Sequence, residues 1–180
     1  MGRGSAGNHH AVASDQRYAF DFLIWRDGST HRGDGADNAD YWAWAQPVLS
    51  PADGTVVSVH DGVADNRPGA QTNTTQPAGN HVVIDLGRGE YAALAHFRAG
   101  SIRVAEGERV SSGQVLGLVG NSGNSSEPHI HFHLQDSPRF NPGGPLGIPV
   151  RFEDYEADGR AQDRGMPSAG QFVRTIRSAA

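Results

Sequence analysis

The chain has 180 residues, a formal net charge of −5 and a pI near 5.9. That length suits one sizeable core with extensions, and the acidic balance gives no general electrostatic affinity for nucleic acid or an anionic membrane surface. Two absences exclude more: with no cysteine there are no disulfides, thiolate metal sites or cysteine nucleophile, and with all 15 basic residues arginine there is no Schiff-base chemistry.

Residues 1–8 read as a flexible leader without the apolar segment of a signal peptide, and no run in the chain has the length of a transmembrane helix. Asn8-His9-His10 follows. In Gln16–Trp25 the residues Tyr18, Phe20 and Phe22 share one face of an extended segment, and Ala19, Asp21 and Leu23 the other. Burying an unpaired carboxylate is costly, so Asp21 calls for a cationic partner, either a metal ion or an arginine such as Arg17.

Residues 26–46 are rich in Gly, Asp and Asn and end in Tyr41-Trp42-Ala43-Trp44, a long loop with aromatic anchors that forms a surface lobe or one wall of a groove. His31 lies in it. Pro51-Ala52-Asp53-Gly54 reads as a turn, and Thr55–Val59 as a β-branched strand. Residues 61–80 form a polar insertion with no periodic signal, expected to be mobile. Asn80–Leu86 and Glu90–Phe97 read as a hairpin around Gly87-Arg88-Gly89. The segments 102–110 and 113–120 repeat a hydrophobic-turn-hydrophobic pattern with Gly at the corners. With 24 Gly and 10 Pro, the texture is that of many short strands. His60 and His81 show no partner pattern and are expected to be ordinary polar residues.

Asn121–Ser126 is a polar loop leading into Glu127-Pro128-His129-Ile130-His131-Phe132-His133-Leu134. Strict alternation predicts a strand with Ile130, Phe132 and Leu134 on a packed face and three imidazoles on the other. A solvated face would carry Thr, Lys, Glu or Ser. Three imidazoles suggest metal binding or proton transfer, which imidazole performs near neutral pH. Beyond this strand Val150-Arg151-Phe152 fits one more strand. Residues 153–180 are charged and weakly patterned, an expected exposed tail with a short strand near Phe172-Val173.

The ordered set Ala52-Asp53-Gly54-Thr55-Val56-Val57, Gly79-Asn80, Ala95-His96, Gly113-Gln114 and Pro128-His129-Ile130-His131-Phe132 resembles the lysostaphin-type (LytM-type) zinc metallopeptidases, family twenty-three of the metallopeptidases. The resemblance spans about Gln16 to Phe152. It implies a mainly β fold, a compact antiparallel sheet and barrel-sandwich hybrid of the duplicated-hybrid-motif type with long loops. It further implies a zinc-dependent endopeptidase acting on bacterial peptidoglycan peptides, monomeric, and secreted or periplasmic. Carried over by position, Asp21 and His131 match zinc ligands, and His96 and His129 match the two catalytic histidines. Such a site needs three protein ligands and an open position for water. Where the family usually has His-x-x-x-Asp, this chain has Arg17, which cannot ligate zinc. His10 is the candidate third ligand, with His9 and His31 as alternatives.

The implied organisation is a leader at 1–8, a metallopeptidase domain at 9–152 and a C-terminal extension at 153–180. The competing reading keeps the fold without the metal, as an inactive activator or scaffold of cell-wall hydrolases, and Arg17 argues for it. A biotinyl-type carrier domain, suggested by Val104 through Leu116, fails because the chain has no acceptor lysine.

Overall fold

The alternating runs in the sequence become antiparallel strands whose apolar positions meet those of their neighbours, although of Gln16–Trp25 only Phe20–Phe22 is a strand and residues 16–18 lie in a turn. The computed structural model describes residues 14–139 and 144–176. The strands are β1 (Phe20–Phe22), β2 (Pro47–Leu49), β3 (Gly54–His60), β4 (Asn80–Asp85), β5 (Tyr91–Phe97) and β6 (Arg109–Val110). They continue as β7 (Val115–Leu118), β8 (Ile130–Gln135), β9 (Gly147–Ile148), β10 (Phe152–Ala157), β11 (Arg160–Gly165) and β12 (Val173–Thr175). The main sheet has the order β1-β8-β5-β4-β3-β6, with β9 beside β8. Strand β8 is therefore central: β5 occupies one side, and β1 and β9 follow one another along the other.

Register decides what each face carries. Phe20 lies opposite Phe132, Phe132 opposite Leu94, and Leu94 opposite Val82, a row of apolar side chains across four strands. This face is covered by the small β2–β7 sheet, through Val48 and Leu116, and by Val150 and Phe152. Phe152 meets Phe20, Phe22 and Phe132 at ring separations of 5.4, 5.9 and 5.8 Å. Burying each such ring contributes about 1.5–3 kcal/mol, so this seam anchors the C-terminal sheet to the main one.

On the opposite face the row runs Asp21, His131, Ala95, His81, His60. Ala93 lies opposite His133 and Ala95 opposite His131. The small side chains on β5 leave room for the imidazoles of β8, so the alternation of one strand is complemented by alanines on the next.

Several expectations change. Among the described residues no sheet closes into a barrel: the main sheet ends at β6, two residues long, and at the edge holding β1, three residues long. The fold is mainly antiparallel β with long loops. Only Arg109–Val110 of the 102–110 segment forms a strand. The C-terminal part, expected as a weakly patterned tail, builds a three-stranded antiparallel sheet in the order β11-β10-β12. The apolar signal there is short: within β10 only Tyr155 and Ala157 are buried. The polar 61–80 insertion is tied down by its own amides, Asn66 Nδ2 donating to the carbonyls of Gly123 and Ser125 at 2.7 and 2.8 Å. Among the described residues no helix is long and apolar enough to cross a membrane.

Candidate functional site

Strand β1 brings Asp21 directly opposite His131. His131 Nδ1 lies 3.0 Å from Asp21 Oδ1, and its Nε2 lies 2.9 Å from His133 Nδ1. The chain of contacts continues from His133 Nε2 to Gln135 Oε1 at 2.8 Å, and Gln135 Nε2 donates to the carbonyls of Ser137 and Arg139. Those two carbonyls only accept, so they fix the amide and make Gln135 Oε1 an acceptor. His133 then donates from Nε2 and accepts at Nδ1, and His131 donates from Nε2. His133, read from sequence as a polar neighbour at the edge of the site, is wholly buried at its base.

The second half of the site comes from β5 and the loop before β8. Simple alternation would turn His96 into the apolar core with Leu94. A bulge opposite Asn80 and His81 and a left-handed backbone at His96 (φ 69°) turn it to the other face instead. Phe97 takes the core position. His96 Nδ1 donates to the Ser122 carbonyl at 2.8 Å. Burial first, then the neighbouring His129 and His131, push the His96 imidazole well below its ordinary pKa and keep it neutral.

The Ser122 carbonyl is held in place by a buried network. Asn80 N donates to Ser122 Oγ, which donates to the Phe97 carbonyl, while Asn80 Nδ2 donates to the carbonyls of Val63 and Phe97. The adjoining Gly120 allows the loop to lie on β5: a Cβ there would stand 2.2 Å from Arg98 N and 2.5 Å from the Phe97 carbonyl carbon. His129 is fixed similarly. Its Nδ1 donates to the Glu127 carbonyl at 2.8 Å and lies 3.2 Å from Ser125 Oγ, whose own proton goes to Asn121 Oδ1 at 2.7 Å. Ser122, Ser125 and Asn121 went unassigned in the sequence because single polar loop residues carry no periodic signal, and Asn80 entered it only within Gly79-Asn80 and as the start of a strand.

The rings of His96 and His129 are 4.8 Å apart, and those of His96 and His131 5.8 Å. His129 Nε2 is 3.6 Å from Asp21 Oδ1. Asp21, His96, His129 and His131 thus line one cavity, with Glu127 and Leu23 also among its walls. The insertion contributes Pro77 and Ala78. The 26–46 loop supports a wall without lining it: Thr30 Oγ1 donates to Glu127 Oε2 at 2.8 Å. His31 is elsewhere, its ring 5.1 Å from Tyr41. His9 and His10 lie outside the described residues. The structure brings together Asp21, His96, His129 and His131, and leaves out His31.

With that geometry in place, residues 39–142, more than half of the sequence, match peptidase family M23. The chain belongs to peptidase family M23. This M23 chain is 35% identical over 88 residues to peptidoglycan DD-endopeptidase ShyA of Vibrio cholerae, covering 49% of this chain and 17% of ShyA. It is 32% identical over 92 residues to cell division protein DipM of Caulobacter vibrioides, covering 51% of this chain and 13% of DipM. The chain therefore spans less than a fifth of the length of either relative. Among solved structures it is similar to the antimicrobial peptidase lysostaphin from Staphylococcus simulans, at 19% identity and a TM-score of 0.48, over 82% of this chain and 45% of that one.

Family membership does not carry the zinc-dependent enzyme with it. Among the described residues no group of three or more His, Cys, Asp or Glu side chains is arranged to hold a metal ion. This overturns the expectation of a zinc metalloendopeptidase with zinc as cofactor and zinc-activated water. The physical reason lies in the donor set. Arg17, in the position of the family's first ligand, is a permanent cation and sits exposed on a turn. The two expected ligands that are present, Asp21 and His131, are bonded to each other. The candidate His10 is outside the described residues, and His31 is bound up with Tyr41. The described residues do not complete a site for the ion.

Proposed function

We propose that this chain is a non-catalytic M23-family module that acts at bacterial peptidoglycan as an activator or scaffold of cell-wall hydrolases, on the outer side of the cytoplasmic membrane. The observation that carries the reading is the direct Asp21–His131 hydrogen bond at 3.0 Å in a site where Arg17 replaces a ligand. A family-type zinc centre needs a third protein donor beside those two side chains, and none is found among the described residues. Support for the cell wall as the place of action comes from the family and from two relatives, one named a peptidoglycan DD-endopeptidase and the other a cell division protein. The cavity that remains is a binding cavity, with Asp21, His96 and His129 as its polar contacts.

The test uses purified peptidoglycan sacculi. The protein sediments with them and releases no soluble fragments alone, yet raises the fragment yield when a cell-wall hydrolase from the same organism is added. Fragment release by the protein alone, abolished by a chelator and restored by zinc, defeats the proposal.

A further inference from the structure

His60 and His81, expected from the sequence to be ordinary polar residues, stand against the outer side of a cavity wall. They face each other across β3 and β4, their rings stacked at 24° with centres 5.4 Å apart. Both reach the turn at residues 76–79, closed by Gly79 N donating to the Gln76 carbonyl, and Pro77 and Ala78 of that turn line the cavity. His81 Nδ1 donates to the Gly79 carbonyl at 2.9 Å. A carbonyl cannot donate, so Nε2 is the nitrogen of His81 that takes up the next proton.

His60 Nε2 lies 3.4 Å from Gln76 Nε2. The orientation of that amide is set one step away. Asn73 Oδ1 accepts from Thr75 N, Thr75 Oγ1 and Gln76 N, which leaves Asn73 Nδ2 to face Gln76 Oε1 at 3.4 Å. Gln76 Oε1 therefore accepts from Asn73, Gln76 Nε2 donates to His60, and His60 Nε2 carries a lone pair. On its inner side the turn is held by main chain alone: His96 N donates to the Ala78 carbonyl at 3.2 Å, and Asn124 N to the Pro77 carbonyl at 2.8 Å.

Acid acts on the outer side. A proton on His60 Nε2 sets one donor against another at Gln76, and a proton on each ring places two like charges in one stack. His60 is exposed, so protons from solvent reach it directly. Two carboxylates border the pair, and backbone amides engage both: Asp61 accepts from Gly62, Gly100 and Ile102, and Glu106 from Val59. On the β5 side His81 faces Ala95, beyond which lie His131 and Asp21, while the His96 ring is turned into the cavity. Burial is the largest influence on His81; it outweighs the Gly79 hydrogen bond, is joined by His60, and holds the imidazole below 6.5. The closed arrangement thus binds protons less readily than one with the turn lifted, and acid favours the lifted one.

We propose that the stacked His60–His81 pair is an acid-released latch on the cavity. With neutral rings it holds residues 76–79 against the site; with both rings protonated it frees the turn, withdraws Pro77 and Ala78, and opens the cavity beside His96. The latch works whatever the cavity binds, so its test is independent of the cell-wall reading.

Amide hydrogen exchange of the full chain, followed by NMR and corrected for the intrinsic rate at each pH, provides that test. Between about pH 7.5 and about pH 5.5 the protection of the His96 and Asn124 amides falls about tenfold, while the interior amides of β4 and β5 keep theirs. In His60→Gln, which cannot build a doubly charged stack, the fall is less than about twofold. His81→Gln gives the same result, and if it does not fold, the exposed-site variant His60→Gln decides alone. Protection that does not change with pH, or that changes equally in His60→Gln, overturns the latch. A loss shared by the β4 and β5 amides overturns it too, because the whole sheet would then be opening rather than one turn.

Discussion

The two sides of the histidine cavity solve opposite problems with the same side chain. On the β8 side, His131 and His133 each use both ring nitrogens, in a line from Asp21 to Gln135 and the carbonyls beyond it. On the β5 side and in the loop before β8, His96 and His129 each anchor one nitrogen on a carbonyl and present the other to the cavity. The first arrangement spends imidazole on rigidity; the second leaves one ring nitrogen on the cavity side. An imidazole's role is therefore set by what its far nitrogen meets, and residue type alone does not reveal it.

The contrast is sharpest if the closed side is broken. His133→Ala removes a wholly buried ring and strands the His131 Nε2–H and Gln135 Oε1, so unfolding free energy falls by about 3–5 kcal/mol, read from denaturant midpoints. Asn80→Ala takes away a buried amide that bonds Val63 and Phe97, with an expected loss of about 2–3 kcal/mol and a displaced His96 signal in the histidine NMR spectrum. If His96 stays in place in that variant, the network around Ser122 does not position it.

A smaller effect is expected on the open side. Ser125→Ala removes one hydroxyl between Asn121 and His129, and costs about 1–2 kcal/mol by thermal unfolding. Because the Glu127 carbonyl still accepts from His129, the His129 imidazole signal in the NMR spectrum moves little, whereas a displaced signal would make Ser125 the main support of that ring.

The smallest expected effect is on pH dependence, away from the cavity. His81 is stacked on His60 with ring centres 5.4 Å apart and donates from Nδ1 to the Gly79 carbonyl. Burial, outweighing that hydrogen bond and helped by His60, holds its pKa below 6.5. The unfolded chain then binds more protons than the folded one between the two pKa values. Stability is full above pH 6.5 and is lost as pH falls below it, toward the folded value. His81→Gln flattens part of this acid limb in a series of melting curves. His96, shifted the same way, supplies a further part. An unchanged slope in the variant would mean that His81 does not contribute.

Alternation was enough to locate β8 and the hairpin β4–β5, because a half-buried strand writes its period into the sequence. It was enough also to put Asp21 opposite the apolar face of Phe20 and Phe22. It failed for the C-terminal sheet, where exposed strands carry charged residues and only Tyr155 and Ala157 mark the inner face of β10. It failed again at the insertion, whose order depends on Asn66 reaching carbonyls 57 and 59 positions away.

The sequence by itself pointed to the family and to the apolar face of each main strand, and the resemblance it carries named Asp21, His96, His129 and His131, which line one cavity. The strand faces follow from local chemistry and short spacings, the four residues from matching motifs. Tertiary structure alone decided which of them remain available. Whether His131 faces a ligand or Asp21, whether His96 turns outward at its bulge, and whether His133 is an edge residue or the buried middle of a chain all depend on partners far away in sequence. A hydrogen bond is satisfied by geometry, and that geometry is fixed only when β1, β5 and β8 are side by side.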